Sequence, residues 1–114
     1  GSYWMESTLK ISPVEQVELL TELYYNEFGF SQKNTDAVKD SLKLSSGQTG
    51  TLSGKTGTGM VDGKNVNGWF VGYVEQAENV YFFAVNIQGK EGATGSAASN
   101  LALSVLRSYG IWNE

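Results

Sequence analysis

Apolar and polar positions change period along the chain, and each change marks an element. Val14, Val17, Leu20, Leu23, Tyr24 and Phe28 fall on one stripe at helical spacing, with Glu15, Glu18 and Glu22 opposite. The stripe has a recognisable start in Ser12-Pro13-Val14-Glu15. Ser12 suits the N-cap, Pro13 the first helical position, and Glu15 completes a capping box. Gly29 is expected to end this helix. A polar run from Ser31 to Asn34 then leads into a shorter helix, with Val38 and Leu42 one turn apart. Ser45-Ser46-Gly47-Gln48 reads as a loop.

Beyond the loop the period falls to two. A strand is predicted near Gly50–Lys55, followed by a hairpin turn at Asp62-Gly63. Trp69, Val71 and Tyr73 point to one side of the next strand, Phe70 and Val74 to the other. Gln76-Ala77-Glu78-Asn79 forms a hairpin loop into Val80–Ile87, whose nearly unbroken apolar run predicts cover on both faces. Gly89 to Gly95 is a glycine-rich connection. The last helix starts near Thr94 or Ser96 and carries Ala98, Leu101, Ala102, Val105, Leu106 and Tyr109 on one stripe. Arg107 suits its last turn and Gly110 its end. Residues 3–12 alternate weakly at Leu9 and Ile11 and read as extended. The pattern predicts an α+β fold: two helices, three antiparallel strands, then a helix. One sheet face packs on the last helix and the other lacks a cover, which makes half a sandwich.

Length and composition narrow the possibilities. The 114 residues are one domain's worth or less. With 40% hydrophobic and 18% charged residues the chain is of globular type, not disordered. A net charge of −4 argues against a nucleic-acid partner. No apolar run is long enough to span a bilayer, so no membrane contact is expected from this segment. The chain has no histidine and no cysteine. Ordinary zinc sites, cysteine nucleophiles and Ser-His-Asp triads are thereby excluded within it. Acid–base work falls to Lys, Tyr, Asp or Glu. Gly1-Ser2 reads as a cloning remnant. The bulky Tyr3-Trp4-Met5 that follows suggests a chain beginning inside a larger fold.

The densest chemistry is Gly54-Lys55-Thr56-Gly57-Thr58-Gly59. Glycines let a ligand approach backbone, lysine supplies charge, and threonines supply donors and acceptors. A phosphate-binding loop would need a glycine at position 49, which is Thr49, and a helix opening after the lysine. Neither requirement is met. Ser7-Thr8-Leu9-Lys10 has the spacing of a Ser-x-x-Lys nucleophile, and Ser12-Pro13-Val14 that of a Ser-x-Val motif. In a Ser-x-x-Lys site the lysine lies one helical turn beyond the serine. Pro13 marks the helix start after Lys10, and an extended segment holds Ser7 and Lys10 roughly 10 Å apart on opposite faces. Ser12 is already accounted for as a cap.

Four blocks together carry a family resemblance. Tyr3-Trp4-Met5-Glu6-Ser7, then Leu9-Lys10-Ile11-Ser12-Pro13 with Glu15-Gln16, then Gly54–Gly59, then Gly68-Trp69-Phe70-Val71-Gly72-Tyr73-Val74-Glu75 occur in that order. The chain resembles the C-terminal half of a class D β-lactamase, and still more the extracellular penicillin-sensor domain of the BlaR/MecR receptors. Residues 3–114 are then the C-terminal portion of a penicillin-recognising, transpeptidase-like domain of the serine β-lactamase α-β-α sandwich type. The resemblance implies that Lys55 takes part in proton transfer and holds the ligand electrostatically. It implies that Thr56 and Thr58 bind the β-lactam carboxylate and that backbone beyond Gly57 helps form an oxyanion hole. Trp4 matches the tryptophan whose indole supports a carboxylated lysine. No cofactor or metal is implied.

The family's nucleophilic serine, carboxylated lysine and second serine would lie before Tyr3, so this chain is not expected to acylate alone. Class D enzymes usually carry an arginine near the start of the last helix. None stands around Ala97-Ala98-Ser99, and the nearest is Arg107. That favours a β-lactam sensor, on the extracellular face of a Gram-positive membrane, over a secreted hydrolytic enzyme. Two alternatives stay open: a class D β-lactamase fragment, and a structural half that dimerises or swaps. The expected partners are a β-lactam and either the missing N-terminal half or a second copy of the chain.

Overall fold

A computed structural model describes residues 13–113. They form α1 (Pro13–Tyr24), α2 (Gln32–Leu42), β1 (Lys43–Ser46), β2 (Thr51–Val61), β3 (Lys64–Glu75), β4 (Val80–Gln88) and α3 (Gly95–Ser108). The strands make one antiparallel sheet in the order β1-β2-β3-β4. The fold class is α+β, as the periodicity predicts. The expectations placed on residues 3–12 lie outside the described residues.

Directly paired residues of an antiparallel sheet point to the same side, so the register defines two faces. Leu52, Gly54, Thr56 and Thr58 pair with Val74, Gly72, Phe70 and Gly68. These pair onward with Tyr81, Phe83, Val85 and Ile87. This face lies under α3. Phe70 packs with Ala98 and Ala102, and Leu52 and Val74 with Leu106 and Trp112. Small residues on α3 let the helix sit close to the sheet. Gly68 shows how close: a Cβ on it would stand 2.1 Å from the Thr94 carbonyl oxygen.

The opposite face carries Ser53, Lys55 and Gly57 with Tyr73, Val71 and Trp69. The expectation that one face has no cover is corrected here. Tyr24, at the end of α1, stands edge-on to Tyr73 and Phe82 with ring centroids 4.9 and 5.5 Å away. The α2 helix adds a second patch of cover over β2.

Other departures from the pattern have local causes. Helix α1 stops at Tyr24, short of Gly29, because Asn26 turns into the left-handed region at φ 54°. The Asn26 side chain bonds both N–H and C=O of Phe30, which an Asn in that conformation does readily. Ser45 and Ser46 are strand, not loop, since they pair with Leu52 and Thr51. The sheet therefore has four strands rather than three. Strand β2 runs on through Gly57-Thr58-Gly59 instead of ending near Lys55. Asp62 and Gly63 form the expected turn, with φ of 51° and 77°. Strand β4 has the expected cover on both faces, Tyr24 of α1 on Phe82 and Ala98 and Ala102 of α3 beside Phe83 and Val85, but its interior is only half-buried, as the edge strand of the sheet among the described residues. The last helix keeps its predicted limits, with Thr94 as N-cap and Gly110 at φ 70° after it.

Candidate functional site

Strand β1 pairs with β2 only at Thr51, Leu52 and Ser53. From Gly54 to Val61, β2 has a strand partner on one side alone among the described residues. Gly54 is buried, and Lys55, Thr56, Gly57 and Thr58 are all exposed. A polar, glycine-bearing segment thus presents unpaired backbone groups along an open edge, a ready template for an extended ligand.

Alternation divides the side chains of this edge. Lys55 and Gly57 point to the face shared with α1 and α2, Thr56 and Thr58 to the face shared with α3. A ligand reaches the ammonium and both hydroxyls together only by lying along the edge itself. Lys55 has no ion-pair partner among the described residues, so its charge is not spent on a fixed internal bridge. Gly57 is not demanded by packing, since a Cβ there would meet nothing nearer than 4.0 Å. Its backbone lies outside the left-handed region as well. The fold does not explain this glycine, whereas close approach of a ligand does.

The α3 face of the edge is tied to the helix start. The Gly95 amide donates to Thr58 Oγ1 at 2.9 Å, and the Ala97 amide to the Thr94 cap at 3.0 Å. Behind it, the Asn86 amide donates to the Gly68 carbonyl at 3.1 Å and to Asn67 Oδ1. Gln88 donates to Asn86 Oδ1 at 2.9 Å. This amide cluster joins β3 to β4, and the Ala93 amide on the Asn65 carbonyl at 2.9 Å ties the connection into α3 to the start of β3. Sequence reasoning missed these supports. The nearest signal was the concentration of Asn and Gln on otherwise apolar strands.

A cavity of about 290 Å³ lies on the other face, lined by Asp36, Lys39, Asp40, Lys43, Ser53, Tyr73 and Glu75. Its charges are largely matched internally. Lys43 pairs with Asp40 at 3.7 Å, and the Lys39 ammonium stands 4.2 Å over the Tyr24 ring. The Tyr24 hydroxyl donates to Glu75 Oε2 at 2.6 Å. Burial, with the carboxylate of Glu75, pushes the Tyr24 phenol well above its ordinary value. Tyr73 is raised too, first by burial, while Ser53 offsets part of the rise. This surface is a structural network between α1, α2 and the sheet.

Of the residues singled out in the sequence, Lys55, Thr56, Gly57 and Thr58 stand together on the exposed edge. Trp4 lies outside the described residues.

Comparison with known proteins gives a consistent neighbourhood. The family model described as "Penicillin binding protein transpeptidase domain" matches residues 1–107. The chain is 51% identical over 112 residues to the regulatory protein BlaR1 of Bacillus licheniformis, covering 98% of this chain and 19% of that protein. It superposes on the solved C-terminal domain of the Bacillus licheniformis BlaR penicillin-receptor with a TM-score of 0.89 at 50% identity, covering 97% of this chain and 45% of that one. Against the class D β-lactamase BAT-2 the TM-score is 0.84 at 33% identity, covering 97% and 44%. The chain therefore spans about a fifth of the curated relative and just under half of either solved chain.

Proposed function

Because this chain belongs to the penicillin binding protein transpeptidase domain family, we propose that it forms the β-lactam-recognising C-terminal portion of a BlaR-type penicillin sensor. Its helices and antiparallel sheet are the C-terminal part of the penicillin-binding and serine β-lactamase fold. The observation that carries the functional reading is the open edge of β2, with Lys55 on one face and Thr56 and Thr58 on the other. The sensor reading is preferred to an enzyme because identity to BlaR1 is 51%, against 33% to the class D β-lactamase BAT-2.

In this reading residues 3–114 contribute one wall of the cleft, and the rest of the domain contributes the serine. The serine oxygen bonds to the β-lactam carbonyl carbon, the ring C–N bond breaks, and the serine proton passes to the ring nitrogen. Lys55 holds the ligand by charge and relays that proton. Thr56 and Thr58 donate to the carboxylate from the α3 side. The backbone beyond Gly57 donates to the developing oxyanion, where a fixed dipole in a partly dry cleft is most effective. Trp4 supports the carboxylated lysine through its indole N–H. The domain faces the outside of a Gram-positive membrane. Among the described residues no helix is long and apolar enough to cross one. Leu101 and Val105 on α3 and Tyr109 just after it are exposed, and among the described residues β4 has a strand partner on one side alone. Both support cover by the rest of the domain.

The experiment is a burst assay of the full-length protein with nitrocefin. A stoichiometric burst followed by very slow turnover is expected of a sensor. Fast multiple turnover assigns class D hydrolysis instead, and a protein that shows no burst and no turnover removes both readings. The 114-residue chain alone takes no penicillin label; a labelled Ser7 in mass spectrometry would place the nucleophile in this chain after all.

A further inference from the structure

We propose that Gly95, the first residue of α3, is a positioning residue for the ligand edge: it fixes the Thr58 hydroxyl so that its proton points to the carboxylate of a bound β-lactam. This rests on the function proposed for the β2 edge. The Gly95 amide donates to Thr58 Oγ1 at 2.9 Å. A hydroxyl has one proton and two lone pairs, so accepting that bond confines the proton to directions away from Gly95. Thr58 is itself exposed, so a ligand on the β2 edge can take the proton that Gly95 leaves free.

Gly95, in contrast, is buried. A Cβ on it would stand 2.8 Å from Thr56 Cβ, and 2.9 and 3.0 Å from O and N of Gly57. Its backbone lies outside the left-handed region, so space rather than conformation calls for glycine. The missing Cβ lets α3 begin directly on the Gly57 backbone and touch three successive residues of the edge. Two further attachments keep the helix start from sliding. Thr94 caps Ala97, and Gly68 lies against the Thr94 carbonyl with no room for a side chain between them. The effect is a hydroxyl pre-aimed before the ligand arrives, which lowers the ordering cost of binding.

The test uses the full-length protein, with the dissociation constant of the pre-covalent benzylpenicillin complex and the first-order acylation constant measured separately. Gly95→Ala is expected to raise the dissociation constant about tenfold, the size of one misaligned charge-assisted hydrogen bond. Thr58→Val should do the same, and Thr58→Ser, which keeps the hydroxyl, should restore binding. The Thr58→Val, Gly95→Ala double variant should lose less than the sum of the two single losses, because part of the Gly95→Ala loss runs through the same bond. Additive losses, or a fall confined to acylation, overturn the positioning role. Should Gly95→Ala fail to fold, the wild-type Gly95 amide resonance decides. It is expected to shift on adding benzylpenicillin and not to shift in Thr58→Val; an unmoved wild-type resonance overturns the proposal. A wild-type protein that takes no penicillin refutes the β-lactam reading itself, and the proposal falls with it.

Discussion

The Tyr24 hydroxyl donates to the Glu75 carboxylate across 51 positions of sequence, joining the end of α1 to the end of β3. The same tyrosine ring stacks edge-on against Tyr73 and Phe82 and receives the Lys39 ammonium on its face. One side chain thereby anchors α1 and α2 to the sheet face that carries Lys55.

This anchor has a pH signature. The folded state holds the Tyr24 proton more tightly than the unfolded chain does. Its contribution is complete below the ordinary tyrosine value of about 10 and is lost as pH rises beyond it. A melting temperature followed from pH 8 to 11 should fall above about pH 10, and Tyr24→Phe should flatten that fall. At neutral pH Tyr24→Phe should cost about 1 kcal/mol, the net worth of the hydrogen bond. A variant with the wild-type alkaline slope would show that the phenol is not the group responsible.

Lys55→Ala should leave the fold intact, since the side chain is exposed and unbridged among the described residues. In the full-length protein acylation should slow about 100-fold or more, as on losing an aligned charge at a developing anion. Circular dichroism and acylation kinetics on the same sample separate the outcomes. A large drop in melting temperature would make Lys55 architectural instead.

Two glycines of the site region should respond oppositely to alanine. At Gly68 the new Cβ would meet the Thr94 carbonyl oxygen at 2.1 Å, so Gly68→Ala should destabilise by about 2 kcal/mol or more. At Gly57 nothing stands nearer than 4.0 Å, so Gly57→Ala should keep stability or raise it by about 0.5 kcal/mol. Penicillin binding should nevertheless weaken in Gly57→Ala. Urea unfolding read beside binding tests the contrast, and equal destabilisation at both positions would contradict it.

The outward stripe of α3 predicts the behaviour of the chain on its own. Leu101 and Val105 remain 48% and 43% exposed although they are apolar. The 114-residue chain should self-associate as its concentration rises, and Leu101→Lys with Val105→Lys should suppress this without lowering the melting temperature. Sedimentation velocity over a concentration series provides the check. A wild-type chain that stays monomeric throughout would show that this stripe needs no cover.

What the amino-acid order determined alone is what acts within a turn or two of chain. Thr94 and Gly110 set the limits of α3, Asp62-Gly63 makes its hairpin, and alternation around Phe70 makes β3, because caps, turns and periodicity depend only on near neighbours. The Lys55-Thr56-Gly57-Thr58 motif was legible for the same reason, but its place on an open strand edge was not. Tertiary structure alone decided that Lys43–Ser46 is a strand, that β2 continues past Lys55, and that β4 stays half-buried at an edge. It also placed Gly95 on Thr58 and Tyr24 on Glu75, pairs lying 37 and 51 positions apart. Strand pairing and close packing depend on residues that meet only when the chain closes on itself, and no local pattern encodes which of them will meet.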